Sequence, residues 1–393
     1  MAMRMILLAG IILVFLCSAA MGQAPLIEDP TRGARLFVSK GCERCHALKG
    51  EGGKVGPDLG RIDLGETQFG FAAKLINHIP TMRLLMEKPR IVKPILTGEE
   101  LTEISAYLYL LRFFDEPGDR GLGKYLFGEK GCKSCHPLSG KGKEGAPGLN
   151  EFPQNISPIF LSQSIWNHGP VMIAQMARLG IPWPEFRNTE MMDLLEYLRA
   201  NAKGGREIAY IAPGNPRNGQ RVFVSKGCVQ CHAIRGEGGK AGGDLSKKAK
   251  AFYKSLTQIA SSMWNKGPTV LGKMAETPSG IPKFTPKEMA DLITYLYFLH
   301  FTDEPGNPAK GRKIFSDLGC SQCHSLAGKP GDWMNIDLSK YQKVANPMEI
   351  AAGIWNHGAE IEGAMREKGF SWPRFKPGEM AHLLEFVRNP EKK

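Results

Sequence analysis

Cys-x-x-Cys-His occurs four times in this chain: Cys42–Cys45–His46, Cys132–Cys135–His136, Cys228–Cys231–His232 and Cys320–Cys323–His324. The spacing is that of covalent c-type haem attachment, with two thiols bonded to the haem edge and the following histidine reaching the iron. One such motif could be a zinc half-site, and a secreted chain could use its cysteines in disulfides. Neither alternative explains a histidine after every second cysteine, in four motifs that use eight of the nine cysteines. The reading constrains the fold strongly. The chain must wrap short elements around four haems, because a unit of about 90 residues has only a thin core of its own.

The first cysteines stand at 42, 132, 228 and 320, a near-constant period that implies an array of similar units. Gly33, Gly123, Gly219 and Gly311 each precede a phenylalanine by four residues (Phe37, Phe127, Phe223 and Phe315). That spacing puts glycine and phenylalanine on one helix face and lets a second helix approach closely. The expected partner is the amphipathic run closing each unit, from Glu100 to Tyr107, Glu190 to Tyr197, Glu288 to Tyr295 and Glu379 to Phe386. Thr97 and Thr285, each with Glu three residues later, read as helix N-caps. Strand signals are weak throughout.

Units 1 and 3 share FVSKGC and GEGGK around their motifs, and both leave through Asp-Glu-Pro-Gly at 115–118 and 303–306. A duplicated two-haem unit explains this. It predicts two tight pairs joined by a looser hinge at 203–217, where Pro213 and Pro216 lie.

The second axial ligand decides between electron transfer and chemistry. Units 2 to 4 carry Trp-Asn-(His/Lys)-Gly at Trp166, Trp264 and Trp355, and unit 1 has Ile76-Asn77-His78 there. Ten residues beyond each anchor stands a methionine: Met86, Met176, Met274 and Met365. Core filling is the usual role of methionine. Met82 and Met172 fit it, because units 3 and 4 put Val270 and Ile361 in their register, whereas the anchor-plus-ten position is Met in every unit. His78, His168 and His357 are the rival ligands, but unit 3 has Lys266 in that register. The tryptophans read as plates packed on haem. Gly56-Pro57 and Ala146-Pro147 are placed to offer a carbonyl to the proximal histidine. Unit 3 lacks the proline and unit 4 is rewritten around Asp332 to Leu338, which implies differently tuned sites.

Residues 1–22 read as a secretory signal: Arg4, an apolar stretch Ile6 to Leu16, then small residues before Gln23. An uncleaved membrane anchor is the alternative. Export places the protein in the periplasm or at the cell surface, where haem attachment occurs. The formal charge of +12 suits an acidic redox partner or peripheral docking on an anionic membrane. Scattered lysines and the lack of a binding motif argue against nucleic acid.

Each unit resembles a class I cytochrome c domain, through Gly-x3-Phe, Cys-x-x-Cys-His, the Gly-Pro-x-Leu segment of unit 1, the downstream methionine and the closing helix. The resemblance implies an all-α fold of four consecutive class I cytochrome c-like domains, arranged as two dihaem pairs. Expected bounds are 27–117, 118–205, 213–305 and 306–393. It implies four covalent haems with axial pairs His46/Met86, His136/Met176, His232/Met274 and His324/Met365. The implied role is electron carriage, not catalysis, since no iron would keep an open site. A quinol-oxidising complex or dehydrogenase is the expected donor, and an oxidase or reductase the acceptor. A subunit of a larger respiratory complex is the alternative, and a haem enzyme with one labile ligand a weaker one.

Overall fold

The computed structural model describes residues 31–65, 67–87, 90–143, 146–151, 156–203, 214–247, 255–301, 306–326, 336–339 and 346–391. The signal segment and most of the expected hinge lie outside these residues.

The expected all-α repeat is present. Unit 1 holds α1 (Arg32–Ser39), α2 (Gln68–Glu87) and α3 (Gly98–Leu110), and unit 2 holds α4 (Arg120–Glu129), α5 (Pro158–Arg178) and α6 (Glu190–Asn201). Unit 3 holds α7 (Pro216–Ser225), α8 (Leu256–Ala275) and α9 (Pro286–Phe298). Unit 4 holds α10 (Pro308–Asp317), α11 (Pro347–Asn356), α12 (Gly358–Glu367) and α13 (Glu379–Arg388). Among the described residues the only strands are two-residue pieces.

The first and last helices of each unit cross where the glycine allows. A Cβ on Gly33 would stand 2.0 Å from the Glu103 carbonyl oxygen, and one on Gly219 2.0 Å from that of Asp291. Gly123 and Gly311 meet Asp193 and His382 in the same way. Real Cβ contacts are never this short, so any side chain there would force the helices apart. Thr97 and Thr285 both close full capping boxes, with Glu100 and Glu288, satisfying donors that a helix start leaves unpaired.

The long middle helix carries an internal proline in units 1 to 3, at Pro80, Pro170 and Pro268, and stays continuous. Unit 4 has Ala359 there, yet its helix breaks at His357 into α11 and α12. Nothing in the structure explains that reversal.

The pairing of units differs from the expectation. Two pairs exist, but unit 1 packs on unit 4 and unit 2 on unit 3. One core joins Ile76, Ile79 and Ile104 of unit 1 to Met348, Trp355 and Leu384 of unit 4. Another joins Leu161 and Leu195 of unit 2 to Ala260 and Trp264 of unit 3. The 203–217 segment therefore links the two members of one pair rather than separating two pairs. The pairs meet through α3 and α9: the Tyr109 and Tyr297 rings lie 4.6 Å apart, and Tyr297 donates its hydroxyl to the Tyr109 carbonyl at 2.8 Å. Leu256 N–H also donates to the Phe113 carbonyl, at 2.8 Å.

Candidate haem sites

Each haem motif begins just after the first helix of its unit, at a glycine in the left-handed region: Gly41, Gly131, Gly227 and Gly319, with φ between 75° and 79°. A single 3-10 turn then starts at the first cysteine. The histidine N–H closes that turn on the first cysteine's carbonyl in units 1 to 3. In unit 1 this winding brings both thiols and the imidazole to one cavity.

In unit 1 a cavity of about 460 Å³ opens there, lined by Cys42, Cys45, His46, His78, Met82 and Met86, with Phe37 and Leu101 among its apolar walls. The structure thus gathers the predicted thiols, the proximal histidine, the proposed methionine and its rival His78 around one space. Met82, assigned to packing from the sequence, lines it too. Burial pushes the first thiol of each motif (Cys42, Cys132, Cys228 and Cys320) up to about 11. No group of three or more metal-binding side chains is found among the described residues. A hydrophobic slot with two thiols and one oriented imidazole fits a covalent haem.

The imidazoles are oriented as the prolines predict. His46 Nδ1 donates to the Pro57 carbonyl at 2.9 Å and His136 Nδ1 to that of Pro147 at 3.0 Å, leaving Nε2 free for iron. In units 3 and 4 the Nδ1 atoms of His232 and His324 are buried without a hydrogen-bond partner. The Ile336 backbone lies beside His324 but completes no bond of normal geometry.

Burial and then the nearby proximal histidine hold His78 and His168 below the usual imidazole range. The His136 and His168 rings lie 6.2 Å apart, centre to centre.

The Trp-Asn motif has a role the sequence did not reveal. Asn77, Asn167, Asn265 and Asn356 each bond both backbone groups of one residue in the partner unit: Phe375, Phe284, Phe186 and Leu96, respectively. The neighbouring indoles reach across the interface as donors only. Trp166 donates to the Pro282 carbonyl at 3.0 Å, Trp355 to that of Pro94 at 2.7 Å, and Trp264 to that of Pro184. Where unit 1 has Ile76, its carbonyl instead receives the Trp372 indole at 2.9 Å. Each interface is thus reciprocal, as in a two-fold dimer. The tryptophans are inter-unit clamps first. Trp355 also lines the unit 1 cavity, so it reaches its partner's haem site. The available signal was a Pro-x-(Phe/Leu) segment before every closing helix, matching every Trp-Asn.

Fold and site together define a protein built to hold haem covalently in small helical units. Comparison with known families agrees: the cytochrome c family matches at residues 30–111, 121–202 and 216–299. The chain belongs to the cytochrome c family. Unit 4 lies outside the matched residues but repeats the haem motif and the glycine-mediated helix crossing. No curated protein and no solved structure matches the chain. Cytochrome c domains are typically electron carriers and usually lie outside the cytoplasm. Among the described residues no helix is long and apolar enough to cross a membrane.

Proposed function

We propose that this chain is an exported tetrahaem electron carrier. It would take electrons from a membrane respiratory donor, a quinol-oxidising complex or dehydrogenase, and deliver them to a terminal oxidase or reductase. One observation carries the reading: thiol pair and imidazole recur four times, and in unit 1 they line one cavity together with Met86 and His78. Bound haem iron supplies a one-electron couple whose potential the ligands and burial tune. The eight motif cysteines anchor the groups, and His46, His136, His232 and His324 hold one face. Met86, Met176, Met274 and Met365 hold the other, as neutral thioethers that raise the potential.

A second reading of unit 2 has a specific observation behind it. The His136 and His168 ring centres lie 6.2 Å apart with their planes at 70°. His168 would therefore be the alternative to Met176 as a ligand in unit 2.

Residues 1–22 would serve as the export signal, and the formal charge of +12, or +11 once Arg4 is removed with it, favours acidic partners or an anionic membrane surface. Membership of a larger complex is separated by co-purification of the untagged protein with membranes. Carbon monoxide binding to the reduced native protein tests the reading as a whole. A carrier with every iron held on both faces binds none; uptake by one haem would reinstate an enzyme. The sulfur-to-iron charge-transfer band of the ferric protein counts the thioether ligands. Its decrease by one haem's share in Met176→Ala supports Met176, and spectral change only in His168→Ala supports His168.

A further inference from the structure

Units 1 and 3 carry nearly the same segment behind the proximal histidine, Gly56-Pro57-Asp58-Leu59 and Gly242-Gly243-Asp244-Leu245, differing at the second position. The surrounding hydrogen bonds match. Gly56 N–H donates to the Cys45 carbonyl and Gly242 N–H to that of Cys231, both at 2.7 Å; Leu59 to Ala47 and Leu245 to Ala233 both measure 2.9 Å. Asp58 accepts from Gly50 N–H and Asp244 from Gly236 N–H in the same way.

One carbonyl departs from this frame. Pro57 aims its carbonyl at His46 Nδ1. Gly243 has φ +77°, a conformation closed to proline, whose φ is fixed near −65°. Its carbonyl accepts from Ala233 N–H at 3.0 Å instead, and His232 Nδ1 is left buried with no partner. The loop still presses on the ring, since a Cβ on Gly242 would lie 2.5 Å from His232 Nδ1. The difference is thus a redirected carbonyl, not a displaced loop.

A hydrogen bond from Nδ1 makes imidazole a stronger electron donor to its metal. A stronger donor favours Fe(III) and lowers the reduction potential. We infer that the residue at position 243 sets the unit 3 haem above the haems of units 1 and 2, because glycine there withholds the bond that Pro57 and Pro147 direct. Unit 2 is the unit clamped to unit 3. The 2·3 pair therefore contains a lower and a higher site, and an electron entering it rests on unit 3. Residue 243 is a positioning residue and touches no haem in this account. The inference rests on the electron-carrier reading above.

The test uses the full-length exported holoprotein and two reciprocal substitutions, Pro57→Gly and Gly243→Pro. Intact mass counts the haems, and a potentiometric titration followed by visible absorption resolves the four couples. Pro57→Gly should raise one potential and Gly243→Pro should lower one. Each should change the Fe(II)/Fe(III) ratio roughly tenfold at fixed potential, about 59 mV for one electron. Gly243→Pro also deletes the Gly243 N–H bond to Lys240. If it assembles with fewer than four haems, Pro57→Gly and Pro147→Gly decide. Four haems with unmoved potentials, or shifts of opposite sign, overturn the inference and leave the functional reading intact. Native protein without covalent haem would overturn that reading itself.

Discussion

Replacing Asn265 with alanine should loosen the 2·3 pair and leave the 1·4 pair alone. Asn265 donates to the Phe186 carbonyl at 2.8 Å and accepts from Phe186 N–H at 2.9 Å. Phe186 is 5% exposed, so water replaces these bonds poorly. Two ordinary hydrogen bonds contribute about 0.5–1.5 kcal/mol each, and each orphaned buried group costs about 1–3 kcal/mol. The expected loss is about 2–4 kcal/mol, toward the lower part of that combined range because the site is only half-buried on the asparagine side. A chain of four units does not unfold in two states, so the readout is the urea transition assigned to the 2·3 pair by haem absorbance. Double substitutions make the test specific to the topology. Asn167→Ala with Asn265→Ala acts within one interface and should be non-additive, whereas Asn265→Ala with Asn356→Ala should add. Coupling between Asn265 and Asn356, with additivity between Asn167 and Asn265, would refute the pairing of units 1·4 and 2·3.

Other expectations follow from single sites. Gly33→Ala puts a Cβ 2.0 Å from the Glu103 carbonyl. It should cost about 1–3 kcal/mol or more by overpacking, and a chemical denaturation curve with intact mass will show loss of stability and of one haem. Thr285→Ala removes the capping box of α9 and should cost about 1 kcal/mol, read as a lower melting temperature. The Glu288 carboxyl is held below the usual carboxylate range, first by its hydrogen bond from Lys226 and then by Thr285 N–H, against the opposing effect of burial. Its contribution is complete above the unfolded carboxylate pKa and is lost as pH falls through the depressed folded value. The native melting temperature should therefore fall more steeply below about pH 4 than that of Glu288→Gln.

The repeat, the crossing of first and last helices and the proline-oriented imidazoles are legible in the sequence because each rests on local spacing. Gly33 and Phe37 declare a helix face, and Pro57 declares the direction of its own carbonyl. The pairing of units is not legible. Similarity of unit 1 to unit 3 reflects ancestry, and contact across an interface leaves no mark in local periodicity. The clamp partners of Asn77, Asn167, Asn265 and Asn356 are backbone groups within Pro-x-(Phe/Leu) segments, and because every unit carries one, the pattern does not say which unit's segment each asparagine meets. From spacing alone the Trp355 indole reads as a haem plate for its own unit, yet it donates to Pro94 and lines the cavity of unit 1. His168 reads as a disfavoured rival ligand because Lys266 shares its register, but folding places its ring centre 6.2 Å from that of His136.

The account stands on covalent haem at every one of the four motifs. The intact mass of the denatured, exported protein, with a haem absorption spectrum on the same sample, measures this directly. The expected result is a polypeptide carrying four haems that stay attached through denaturation. A mass equal to the bare polypeptide, or a chain whose cysteines hold zinc or disulfides, would contradict it.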